Sequence, residues 1–186
     1  MVYEVYYRLM QIVNSPAFLQ SVFDNRFYLI LLVIVLTRFK YATYDSMWMC
    51  AFVNVPGTVL HETMHFIVGY VLNAQPCNFT IFPRRSMDGG YVMGAVGFRN
   101  ITFYNAVPAA MAPLLLLPIG YYVNEIILPM MPATLPNYIL YVLLQTIIIE
   151  NAVPSSQDVR VATSSFSGLL LYTVFFGALF LVWLGL

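Results

Sequence analysis

Long apolar runs alternate along this chain with short polar interruptions. A bilayer core of about 30 Å asks for about 20 apolar residues in a helix. Residues 2–13 (VYEVYYRLMQIV) are tyrosine-rich and mildly amphipathic, the pattern of a helix lying at a membrane interface, and Pro16 ends it. The purely apolar part of the next run, Phe27 to Leu36, is too short to span. A helix capped by Asp24 and continued to about Tyr44 would reach, with Arg38 and Lys40 snorkelling at its far end. Met47 to Leu72 is a second run, and Pro56-Gly57 should kink it. A third, Ile101 to Leu128, carries Pro108, Pro113 and Pro118. A fourth, Tyr138 to Ile149, covers only about 18 Å, so it is either buried among other helices or followed by a segment that starts inside the membrane. The fifth, Phe166 to Leu186, is full-length, with Gly168, Gly177 and Ala178 available for close packing.

Between the second and third runs, TIFP (80–83) and YVMGAVGF (91–98) flank the turn signal Asp88-Gly89-Gly90, which predicts a small β-hairpin over about 78–98. The pattern as a whole predicts an all-α polytopic membrane protein of about five transmembrane helices. Residues 1–24 form an interfacial segment and 25–186 a single embedded domain.

Composition sharpens this. Of the 186 residues 61% are hydrophobic and 9% charged, too apolar for a soluble domain of this size to hide from water. Disorder is excluded by the same figures. Eight basic and eight acidic residues cancel, and the absence of a basic run argues against nucleic acid as a partner. Cys50 and Cys77 read as packing residues rather than a disulfide framework. No basic stretch leads into a small-residue cleavage site, so no signal peptide is expected. If all five runs cross, Arg8, Arg26, Arg84, Arg85, Arg99 and Arg160 fall on one side, with Arg38 and Lys40 on the other. The positive-inside rule then places the N-terminus, the hairpin and residues 151–165 in the cytoplasm.

The candidate chemistry sits in the second run. His61-Glu62-Thr63-Met64-His65 is an H-E-x-x-H motif and contains both histidines of the chain. Residues four apart share a helix face, so two imidazoles can reach one zinc ion, with Glu62 beside the water it activates. Ionisable side chains inside an apolar run are costly there, which favours a functional reading. A catalytic zinc site usually has three protein ligands. The remaining ligand is a carboxylate, from Glu4, Asp24, Asp45, Asp88, Glu125, Glu150 or Asp158. Asp158 stands out, because NAVPSSQD (151–158) follows the short fourth run and falls on the same side as the motif. Asp88 is its rival, although a hairpin turn accounts for Asp-Gly-Gly without a metal.

HETMH in an apolar helix, then a hairpin, then Ala-Met-Ala-Pro (110–113), then Asn151 and Pro154 ahead of Asp158, resembles the site-2 protease family of intramembrane zinc metalloproteases. The resemblance covers roughly residues 47–160, with Ala112-Pro113 where that family often has Gly-Pro and Val159 where it has Gly. It implies one zinc ion on His61, His65 and Asp158, with Glu62 as general acid and base. It also implies that Asn151 hydrogen-bonds an unwound substrate, a membrane protein or peptide within the bilayer. A substrate helix must unwind before cleavage. The strand Tyr91–Phe98, opened by Gly94 and Gly97, is the expected edge on which the extended segment would lie. Two other classes compete. One is a catalytically silent partner-binding or regulatory subunit with the same fold. The other is a metal transporter, which would want its ionisable residues spread over several helices rather than clustered.

Overall fold

The computed structural model describes residues 2–18, 20, 26–41, 47–85 and 91–184. The chain is mostly helical. Among the described residues the chain opens with α1 (Val2–Val13), then α2 (Arg26–Tyr41) and the long α3 (Met47–Val71), which runs through Pro56 to the H-E-x-x-H motif. Asn73, just past its end, takes a left-handed backbone (φ 55°), a conformation asparagine tolerates at a helix C-terminus.

The hairpin follows as strands β1 (Pro76–Thr80), β2 (Arg84–Arg85), β3 (Tyr91–Val92) and β4 (Ala95–Phe98). β1 pairs antiparallel with β4, Pro76 opposite Phe98 and Thr80 opposite Ala95, with a register shift between Cys77 and Thr80. β2 pairs with β3, Arg84 opposite Val92. The expected hairpin is therefore present as two short ladders. It begins at Pro76 rather than near 78, and residues 81–83 lie outside the strands. The turn residues 86–90, Asp88 among them, lie outside the described residues.

The third apolar run is not one regular helix. It divides into α4 (Ala106–Ala110), a 3-10 turn (Ala112–Leu115), α5 (Leu116–Tyr122), a π-helical turn (Val123–Ile127) and α6 (Leu128–Met130). Pro113, Pro118 and Pro129 withhold the N–H groups a continuous ladder needs. Side chains of the next helix, α7 (Leu135–Asn151), mend the broken stretch: Gln145 Nε2 donates to the Gly120 carbonyl at 2.9 Å and Tyr141 OH to Asn124 Oδ1 at 2.6 Å. Intramembrane helices tolerate such breaks when neighbours re-satisfy the backbone. α8 (Ser156–Thr163) and α9 (Phe166–Trp183) complete the chain.

Two stretches among the described residues are long and apolar enough to cross a membrane, Ala112–Met130 and Phe166–Trp183; α7 and α8, bent by 42° at their junction, make a third if taken together. The sequence led us to expect about five. α2 has 16 residues, about 24 Å of helix and short of the bilayer core, and the ends proposed for that run, Asp24 and Tyr44, lie outside the described residues. α3 has length to spare at 25 residues, but Asn54, His61, Glu62 and His65 dilute its apolar character. The residues that would do chemistry are the ones that weaken it as a lipid-facing helix.

The interior is built largely from alanine. Ala74, Ala106, Ala109, Ala110, Ala112, Ala152 and Ala162 are buried, whereas Phe175, Phe176, Phe180 and Trp183 of α9 are exposed. Helices that gain nothing from hiding apolar surface associate by close backbone approach, which small residues permit. Leu116, Ile148 and Ala152 form one small apolar cluster, and Tyr138, Tyr141 and Val142 another, which Leu36 of α2 joins.

Asn14, Pro16 and Gln20 share a cavity of about 580 Å³ with the segment from Leu128 to Pro136. Sorting by charge put these two segments on opposite faces. In the structure both segments line this one cavity.

The glycines of α9 offer a test of this packing. A Cβ on Gly168 would stand 2.2 Å from the Phe103 carbonyl oxygen, a backbone atom that cannot swing aside, while at Gly177 nothing lies within 4 Å. Gly168→Ala should cost about 1–3 kcal/mol in denaturation followed in detergent. Gly177→Ala should leave stability unchanged or raise it, since alanine is the better helix former.

Candidate metal centre

Three distant pieces of chain meet at one point. α3 presents His61 toward the end of α7, His65 toward α4 and Glu62 toward Gly94 of the hairpin. α4 in turn packs against α8, which carries Asp158. The break after Asn151 sets α8 at 42° to α7. Ser155 caps α8: its hydroxyl accepts the Asp158 N–H at 3.2 Å, and Asp158 Oδ2 accepts the Ser155 N–H at 2.7 Å. Such a reciprocal box contributes about 0.5–2 kcal/mol and fixes the carboxylate's rotamer.

The two imidazoles and the carboxylate form a triangle of facing groups, with a different carboxylate oxygen toward each histidine. His61 Nε2 and His65 Nε2 are 3.2 Å apart; Asp158 Oδ2 lies 3.4 Å from the first and Asp158 Oδ1 3.2 Å from the second. Each ring is held from behind. His61 Nδ1 contacts the Asn151 carbonyl and His65 Nδ1 the Ala109 carbonyl, both at 2.8 Å. A carbonyl can only accept, so each Nδ1 carries a proton and donates it. The neutral ring then turns its Nε2 lone pair inward.

Two lone pairs and a carboxylate facing one another at these distances repel unless a cation lies among them. A shared proton would bridge two of the three. A metal ion at the centre serves all three, and donors on a tetrahedral ion with bonds of about 2.0–2.1 Å lie about 3.3 Å apart. Ring orientation by a backbone carbonyl is also the usual outer support of a metal-binding histidine. The residues present therefore fit a metal ion.

The triangle opens into a cavity of about 690 Å³. Glu62 lines it beside the two histidines and is itself buried, with 7% of its surface exposed. Gly94 lies directly over Glu62: a Cβ there would stand 2.9 Å from Glu62 Oε1 and 2.6 Å from the Thr58 methyl. Farther along, Phe98 rests against Gly69, so the hairpin lies along α3.

Of the residues expected from sequence, His61, His65 and Asp158 come together, with Glu62 and Gly94 beside them. The Asn151 side chain turns back on its own helix, donating to the Ile147 carbonyl at 2.8 Å and filling the space above Gly57. Its main-chain carbonyl, rather than its amide, serves the site. Tyr91 is placed by its backbone pairing with Arg85. Asp88 lies outside the described residues.

Sequence reasoning passed over Asn54 and Thr58, which line the same cavity. Their signal was legible: Asn54, Thr58 and Glu62 recur every four residues through an apolar run, which puts one polar stripe on one helix face. Ser155 was also legible, as the first residue of a Ser-x-x-Asp cap.

No protein-family model matches this chain, and no curated protein and no solved structure matches it.

Metal uptake separates the two candidate carboxylates. Asp158→Ala should abolish stoichiometric uptake of a divalent metal by the purified protein, measured by elemental analysis after dialysis. Asp88→Ala should leave uptake intact.

Proposed function

We propose that this chain is an intramembrane zinc metalloprotease similar to the site-2 protease family, hydrolysing peptide bonds of membrane-embedded or membrane-proximal substrates. The observation that carries the reading is the His61–His65–Asp158 triangle with Glu62 lining the same cavity. When bound there, zinc supplies Lewis acidity toward a peptide carbonyl and toward water.

The chain's own groups account for the rest. Glu62 stands where it can take a proton from the attacking water and return it to the leaving amine. The two backbone carbonyls hold the imidazoles in the tautomer that leaves Nε2 available. Ala95, Val96 and Phe98 line the cavity, and β4 pairs only with β1 among the described residues. An unwound substrate segment can therefore add to the open side of β4 as an extra strand, held by main-chain hydrogen bonds and passing over Glu62 at Gly94. The polar stripe of Asn54 and Thr58 carries the cavity deeper along α3.

In this reading α2 and α3 also cross the bilayer, giving the five-span arrangement. The site then lies toward the cytoplasmic end, marked by Arg84, Arg85, Arg99 and Arg160.

Two substitutions test the assignment. Glu62→Gln should retain zinc and lower cleavage of a reconstituted transmembrane peptide by about 10²–10⁴-fold, the usual worth of a positioned general acid–base. Gly94→Ala crowds Glu62 and Thr58, so it should lower kcat by up to about 100-fold with zinc content unchanged. Stoichiometric zinc in a wild-type protein that cleaves no membrane substrate would instead assign a silent binding subunit.

A further inference from the structure

In an α-helix the carbonyl of residue i is taken by the N–H of residue i+4. For Ala109 that partner would be residue 113, a proline with no N–H. For Asn151 it would be Ser155, whose N–H is committed to Asp158 Oδ2 at 2.7 Å. The shorter i+3 bond is closed to Asn151 as well, because residue 154 is also proline. Ala109 and Asn151 are the two carbonyls that accept from the histidine rings, each at 2.8 Å.

We propose that Pro113 and Pro154 are positioning residues for the metal centre. By withholding main-chain N–H groups, they reserve the Ala109 and Asn151 carbonyls for His65 and His61. A main-chain carbonyl that lacks its helical donor demands another, so each reserved oxygen draws the nearest one. The nearest ring supplies it and is thereby fixed in tautomer and direction. At the second histidine the device is closed on itself. Asp158 accepts the Ser155 N–H, which keeps that N–H from the Asn151 carbonyl, and the same carboxylate completes the triangle.

The chain uses the same device elsewhere. Tyr104 stands four residues before Pro108, and its carbonyl accepts the Tyr172 hydroxyl at 2.5 Å, tying α9 to the start of α4. Prolines here do not merely interrupt helices; they choose which carbonyl is offered sideways.

The inference rests on the metal reading of the site, and the experiment keeps the two apart by measuring binding of cobalt(II) alone to the full-length protein in detergent. Pro113→Ala returns an N–H to Ala109. It should weaken cobalt affinity by about tenfold, the lower end of what outer-shell changes cost. It should also alter the cobalt ligand-field spectrum, because His65 is no longer aimed by an undivided acceptor. Replacement of residue 113 by lactic acid, introduced by nonsense suppression, makes a backbone ester that lacks both the N–H and the pyrrolidine ring. Affinity and spectrum should return to those of the wild type. Pro108→Ala, which serves Tyr172 rather than a histidine, should leave cobalt binding unchanged.

Wild-type cobalt affinity in Pro113→Ala overturns the proposal. So does an ester variant as weak as the alanine variant, which would assign the effect to ring shape. A wild-type chain that binds no cobalt overturns the metal reading itself, and this inference with it.

Discussion

Before a neutral imidazole can offer a lone pair to a cation, its other nitrogen must give a proton away. On the metal reading proposed above, that requirement organises the site. His61 and His65 stand one turn apart on α3, yet neither is fixed by α3 itself. One ring is held by the end of α7 and the other by α4, through single N–H···O=C contacts of 2.8 Å. The helices around the site are therefore packed so that two main-chain oxygens arrive behind two rings. The alanine-lined approach of α4 and the Gly57–Asn151 contact follow from the same need, because larger side chains would hold the oxygens too far away.

The carboxylate shows the same economy. Asp158 does three things at once: it caps α8, denies the Ser155 N–H to α7, and faces the histidines. A residue so placed couples the 42° bend between α7 and α8 to the geometry of the triangle. Local helix-terminus chemistry and long-range assembly are here the same hydrogen bonds.

Much of the site was legible in the sequence, and for physical reasons. Histidines four apart in an apolar run share a face whatever surrounds them, so His61, Glu62 and His65 were found from spacing alone. A polar stretch after a short apolar run has few places to go, which singles out Asp158, and the structure brings it to the two histidines. The hairpin was marked by its glycines and aromatics, though the register shift after Cys77 was not, since a bulge leaves no mark on alternation. The irregular course from Ala106 to Met130 was only half legible. Prolines announce a break but do not say whether a 3-10 or a π turn replaces it, because Gln145 and Tyr141 on another helix settle that. The side on which the N-terminal segment lies is not legible from arginine counts alone, since that count presumes that every apolar run crosses. Hydropathy also hid Asn54 and Thr58, whose meaning lies in the face they occupy rather than in an average over α3.

The alanine interior reverses the usual relation between burial and tolerance. In a water-soluble fold, trimming an inner side chain leaves a hole, while bulk added outside is ignored. Here the inner positions are already near the minimum, so the damaging change is growth rather than loss. Outward-facing phenylalanines and leucines are answerable only to an oily surrounding, and they can trade places freely. Drift should therefore leave its mark as shuffled greasy letters on the rim around a constant lattice of small ones.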